Sequence, residues 1–161
     1  MGAFFGRHGP TIATGAAVLG GLLLLYAETL HLYRIVTPSG SVSNAPGSVR
    51  TGGDQHSWAF AVMGVAAAGS AVLARVTRQR LPALAATLLG AIALLVALTV
   101  DLPDVTAAGV TTQLEVGSAD PGAGFWIELV GALVLTAGAG ILAALLPPAA
   151  RPAAPRSRAR P

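Results

Sequence analysis

An all-α membrane protein, a bundle of four transmembrane helices with both termini in the cytoplasm, is the fold class this sequence predicts. Three observations predict it. Charged residues fill only 11% of the 161 positions, against roughly 25% in a soluble domain. Apolar residues make up 53%, and the mean hydropathy is +0.68. Four stretches are each long enough to cross a bilayer, which takes about 20 apolar residues at about 1.5 Å of rise per residue. No water inside hydrocarbon satisfies open backbone groups, so such stretches must be helices. They are apolar all round and lack a period of two, which argues against a β-barrel.

The first span is placed at about Thr11–Arg34, after a cytoplasmic flank of residues 1–10. Its long apolar run, Ile12 to Ala27, meets no small-x-small site before Glu28, so a cleaved signal peptide is not expected. The opening MGAFFG also lacks the Ser or Thr that a myristoylation signal carries at position six. The second span is about Ser57–Val76 and the third about Leu81–Val100. Only TRQR joins them, which requires an antiparallel hairpin, and Pro82 sits in a first turn where its missing N–H is harmless. The fourth span is about Gly122–Leu146, with Asp120 read as its N-cap and Pro121 as a first-turn residue. Residues 11–146 thus form one transmembrane domain. Residues 147–161, rich in Pro and Arg without apolar periodicity, are read as a disordered basic cytoplasmic tail.

Arginine placement orients the bundle. Arg7, Arg75, Arg78, Arg80, Arg151, Arg156, Arg158 and Arg160 lie on one side, and Arg34 and Arg50 on the other. The positive-inside rule then predicts a multi-pass protein of the bacterial inner membrane with N and C termini inside. Tyr26, Tyr33, Trp58, Phe60, Phe125 and Trp126 all fall at the outer helix ends, where aromatic rings anchor at headgroups. The two outer loops are each about 22 residues, long for simple connections. GVTTQLEV in the second could form a strand and pair with SVR in the first, making a small β element.

Two carboxylates fall inside the spans, where an ionised group costs on the order of 2.5–3.5 kcal/mol near a helix centre. Glu28 shares a face with Gly21, Ala17 and Thr14. Glu128 begins a ridge of Ala132, Thr136, Gly140 and Ala144, and the third span carries Gly90, Ala97 and Asp101 on one face. Small residues mark close backbone approach in membranes, so both glutamates should face the bundle interior. Glu28, His31, Arg34, Asp101 and Glu128 are the ligand or proton-relay candidates at one depth, with His31 one turn after Glu28. Asp54, His56 and Asp104 are further candidates in the outer loops. Two readings compete: structural pairing of the acids with Arg34 or loop amides, and a polar functional pocket.

The absence of cysteine excludes disulfides, thiolate metal sites and cysteine nucleophiles. There is no phosphate-binding glycine loop, no pair of histidines matched in depth for haem and no readable Ser-His-Asp set. A net charge of +3 along an apolar chain makes no nucleic-acid surface. No cofactor, metal or catalytic residue is expected.

The segments GGDQHSWAF, LTVDLPDV and ADPGAGFWIELVGALVL resemble a family of small four-helix membrane proteins of actinobacteria. The resemblance spans most of residues 15–146 and implies the same fold without implying an activity. Small multidrug transporters also carry a membrane glutamate in helix one, but here Glu28 lies toward the outer end and the outer loops are long. The expected function is a non-enzymatic accessory or assembly partner acting through helix–helix contacts, with the bilayer and a second copy or another membrane protein as partners. The alternatives are a small transporter or ion-handling protein using Glu28, Glu128 and Asp101, and, third, a metal-dependent membrane enzyme on the outer face.

Overall fold

The computed structural model describes residues 2–38, 40–42, 48–110 and 116–148, without the side chains of 2–7, 108–110 and 116. The proposed tail beyond residue 148 and the centre of GVTTQLEV, residues 111–115, lie outside the described residues. Among the described residues six α-helices occur: α1 (Gly2–Ala27), α2 (Gly52–His56), α3 (Ala59–Thr77), α4 (Arg80–Val96), α5 (Leu102–Val105) and α6 (Ala123–Leu145). A π-helical turn, Ala97–Asp101, joins α4 to α5. Four segments are long and apolar enough to cross a membrane: His8–Ala27, Ala59–Thr77, Arg80–Val105 and Ala123–Leu145. They form a ring in which α1 and α4 each pack against both α3 and α6.

The bundle is packed with small residues inside and large ones outside. Its centre holds Ala17, Ala67, Ala71, Ala86, Ala93 and Ala139, all fully buried, while Val62, Val76 and Leu81 are 68%, 75% and 76% exposed. Water would drive the opposite arrangement, whereas lipid leaves close backbone packing as the main attraction. Gly21 and Gly64 meet face to face, and a Cβ built on either would come within 2.5 Å of the other's carbonyl oxygen. Gly20 packs as tightly on the α6 backbone at Gly131 and Leu135.

The first span ends earlier than the sequence predicts. The Thr29 and Leu30 amides donate to Tyr26 and Ala27 carbonyls at 3.0 Å, closing α1, and the chain leaves as strand β1 (His31–Val36). Its apolar residues read as more helix, yet their amides and carbonyls are taken up by ladders on both sides. The antiparallel sheet has the order β2-β1-β4-β3, with β2 Val49–Thr51, β3 Ala108–Val110 and β4 Val116–Pro121. The β element expected between the outer loops therefore exists with a different partner scheme. SVR pairs with β1, not with the second loop, and β1 itself also pairs with β4. Leu32, Val105 and Phe125 form a small second core beneath the sheet.

Further differences concern helix ends and one helix face. The helix begins at Gly2, so the expected separate flank of residues 1–10 is largely helical, with Pro10 inside it. Asp120 and Pro121 do not start the last helix; they end β4, and Gly122 precedes α6 with no side-chain cap. α3 follows Trp58, which makes no side-chain cap. The ridge of every fourth residue from Glu128 also drifts off the interface. Ala132 is buried and Thr136 and Gly140 are half-buried, but Ala144 is exposed. Steps of four residues advance about 40° each around a helix of 3.6 residues per turn, so four steps leave the buried stripe.

Candidate functional site

The π turn determines which acid enters the bundle. Buried positions along α4 run Ala83, Ala86, Gly90, Ala93, Ala97, alternating steps of three and four. Continued as an α-helix, that stripe would next bury Val100 and Asp104. Instead the Leu102 amide donates to the Ala97 carbonyl, five residues back, so one extra residue is accommodated. Asp101 and Val105 are buried, while Val100 and Asp104 face outward.

Glu28, just after α1, is 1% exposed, and its Oε1 accepts the Phe60 amide at 2.9 Å. That amide is in the first turn of α3, whose own N-cap, Trp58, supplies no side-chain acceptor. Glu28 thus caps a helix from a different part of the chain and places its charge at the positive end of the dipole.

His56 comes in on α2. Gly52 and Gly53 lie directly on the end of α1: their amides donate to the Leu30 and Glu28 carbonyls, and a Cβ on Gly52 would sit 3.0 Å from Glu28 Cα. Ser57 and Trp58 then take left-handed backbone angles, φ 52° and 65°, to reverse the chain into α3. Each costs on the order of 1–2 kcal/mol in a residue bearing a Cβ, and the contacts on either side hold them there. Phe60 packs on the imidazole with ring centroids 4.4 Å apart.

At the start of α2, the Thr51 hydroxyl accepts the Asp54 amide and donates to the Asp54 carboxylate, whose oxygen also accepts the Thr51 amide. The Thr51 hydroxyl, and then its amide, hold the Asp54 carboxyl below its ordinary value. This support is present above the usual Asp range and fades as pH falls through the lowered value. Thr51→Ala should cost about 1 kcal/mol of local stability, a roughly fivefold rise in opening. Faster hydrogen exchange at the Asp54 and Gln55 amides would register it, and unchanged exchange would show that the cap does not hold α2.

Three of the carboxylates and the imidazole converge at the sheet end of the bundle. His56 Nε2 lies 3.2 Å from Asp101 Oδ1 and 3.9 Å from Glu128 Oε2. Asp101 is fully buried, Glu128 is 1% exposed, and Asp101 and Glu28 are acidic neighbours of Glu128. Among the described residues, Glu28 Oε2, His56 Nε2, both Asp101 oxygens and Glu128 Oε1 are buried without a hydrogen-bond partner. Buried polar atoms are nearly always paired, and an unpaired buried charge is costlier still. The 3.2 Å approach of His56 to Asp101 is therefore close contact without hydrogen-bond alignment.

The other candidates do not join this cluster. His31 is exposed on β1, so the Glu-x-x-His pair is not on one helix face. Arg34 is exposed and pairs with Asp120 on the neighbouring strand at 2.9 Å, so it is no counter-ion for the buried acids. Asp54 serves the α2 cap, and Asp104 accepts from Gln55 at 3.0 Å at the surface. Of the packing residues, Ala17 lies against Gly138, and Gly90 against Thr136. Phe60, expected as a headgroup anchor, is instead 2% exposed, donates its amide to Glu28 and packs its ring on His56. No family model, curated protein or solved structure matches the chain.

Proposed function

We propose that this is a multi-pass membrane protein that holds a cation at the outer boundary of the bacterial inner membrane, with both termini inside. One observation carries the reading: Glu28, His56, Asp101 and Glu128 hold five buried, unpartnered polar atoms, and one ligand atom from each of the last three lies within 4.8 Å of the others. Carboxyl groups buried this way need a proton or a cation, and among the described residues His56 is the one basic side chain within ion-pair distance. The arginine asymmetry supports the sidedness, placing the sheet and the cluster outside. Ion handling is favoured over assembly because small residues at helix crossings pack within one bundle, Gly21 against Gly64, Ala17 against Gly138 and Gly90 against Thr136.

Melting the full chain in detergent after chelator dialysis tests this, with Na⁺, Mg²⁺, Ca²⁺, Mn²⁺ and Zn²⁺ each added back. At least one cation should raise the melting temperature, and none doing so would refute the reading. A reporter active only in the cytoplasm, fused after Pro161, should be active; an inactive fusion would reverse the sidedness.

A further inference from the structure

Which cation fits is contained in the chemistry of the cluster and in how its charges divide. Glu28 already has electropositive company, since its Oε1 accepts the Phe60 amide at the start of α3. That leaves the Asp101 and Glu128 carboxyl groups around His56. A protonated imidazole would balance one carboxylate. A divalent ion would balance two, displacing any proton they hold, and would take the neutral imidazole lone pair as a third ligand.

We propose that His56 Nε2, one Asp101 oxygen and one Glu128 oxygen bind a first-row transition ion of the zinc class. This rests on the cation reading above and narrows it. The three ligand atoms lie within 4.8 Å of one another. Ligands at zinc distances of about 2.0–2.1 Å in a tetrahedron are about 3.3–3.4 Å apart. The His56–Asp101 separation of 3.2 Å matches that edge, and the His56–Glu128 separation of 3.9 Å closes with a small side-chain rotation. Imidazole selects zinc-like and neighbouring transition ions, whereas magnesium and calcium favour six or more oxygen ligands. Three protein ligands also leave a fourth position for water or an exchangeable ligand.

The three ligands come from α2, the π turn and α6, so one ion would join the extramembrane flap to two spans. The Gln55–Asp104 hydrogen bond already ties α2 to α5 across the outside of the same junction. The bound ion would fasten it from beneath.

Cobalt(II) makes the test visible. Chelator-stripped full-length protein in detergent is titrated with Co²⁺ and then with competitors. The expected result is the intense visible absorption of low-coordinate cobalt, saturating at one ion per chain. Stoichiometric Zn²⁺ should abolish it, while a ~100-fold excess of Mg²⁺ or Ca²⁺ should not. His56→Gln should weaken Co²⁺ binding by at least ~100-fold, with metal-free circular dichroism showing that it is folded. Where that variant does not fold, Glu128→Gln supplies the same comparison. No cobalt band in the wild type, or an undiminished band in folded His56→Gln, overturns the proposal. If Mg²⁺ or Ca²⁺ competes as well as Zn²⁺, the transition-ion assignment falls and the cation site stands. If no ion alters melting, both fall.

Discussion

Asp101→Asn is expected to raise the melting temperature of the cation-free protein and to remove its response to added cation. Asp101 is fully buried with both carboxylate oxygens unpartnered, beside Glu128. The effective penalty of a buried charge is several kcal/mol after relaxation, so a neutral isostere relieves strain in the empty site. In the wild type, a cation at 1,000 times its Kd would add about 4.1 kcal/mol, on the order of 10 °C for a chain of this size. The variant forfeits that increment because its amide carries no charge. The two curves should therefore cross: the variant melts higher without cation and lower with it. If Asp101 only fixed helix packing, as structural pairing would have it, the variant would melt lower under both conditions. Glu28→Gln should behave differently, because glutamine can still accept the Phe60 amide and keep α3 capped.

The second large effect is expected where α1 crosses α3. A Cβ at Gly21 would lie 2.5 Å from the Gly64 carbonyl oxygen, and one at Gly64 would lie 2.4 Å from that of Gly21. Backbone cannot yield as a side chain can, so either alanine must push the helices apart. A loss of about 1–3 kcal/mol follows from overpacking, more than the roughly 1 kcal/mol that alanine gains in helix propensity. Gly15 and Gly69 lie on the same helices with nothing within 4 Å of an added Cβ. Alanine there should be neutral or stabilising. Melting all four variants separates contact from propensity, and equal effects at the four sites would contradict the close approach.

The spans were legible because hydropathy over some twenty residues is a local property, and the structure holds four helices that meet it. Asp101 was read on one face with Gly90 and Ala97 and does lie inward, but the π turn that brings it there in place of Val100 was not legible. An extra residue in one turn leaves no mark in the apolar pattern. Where α1 ends was misread because Leu30, Leu32 and Tyr33 continue an apolar run whose fate depends on pairing with residues some 85 positions away. The same long-range pairing took Arg34 and Asp120 out of the candidate site and into a cross-strand ion pair. His56 could be listed but not placed. Its meeting with Asp101 and Glu128 depends on α2 lying over the end of α1 through Gly52 and Gly53, a tertiary contact that no periodicity encodes.

Metal content of the protein, extracted from native membranes without chelator and compared with a variant carrying both Asp101→Asn and Glu128→Gln, tests the cation site most directly. The account predicts close to one divalent ion per wild-type chain and none above background in the folded variant. Equal metal content in the two proteins, or a metal-free wild type whose stability no added cation changes, would contradict it.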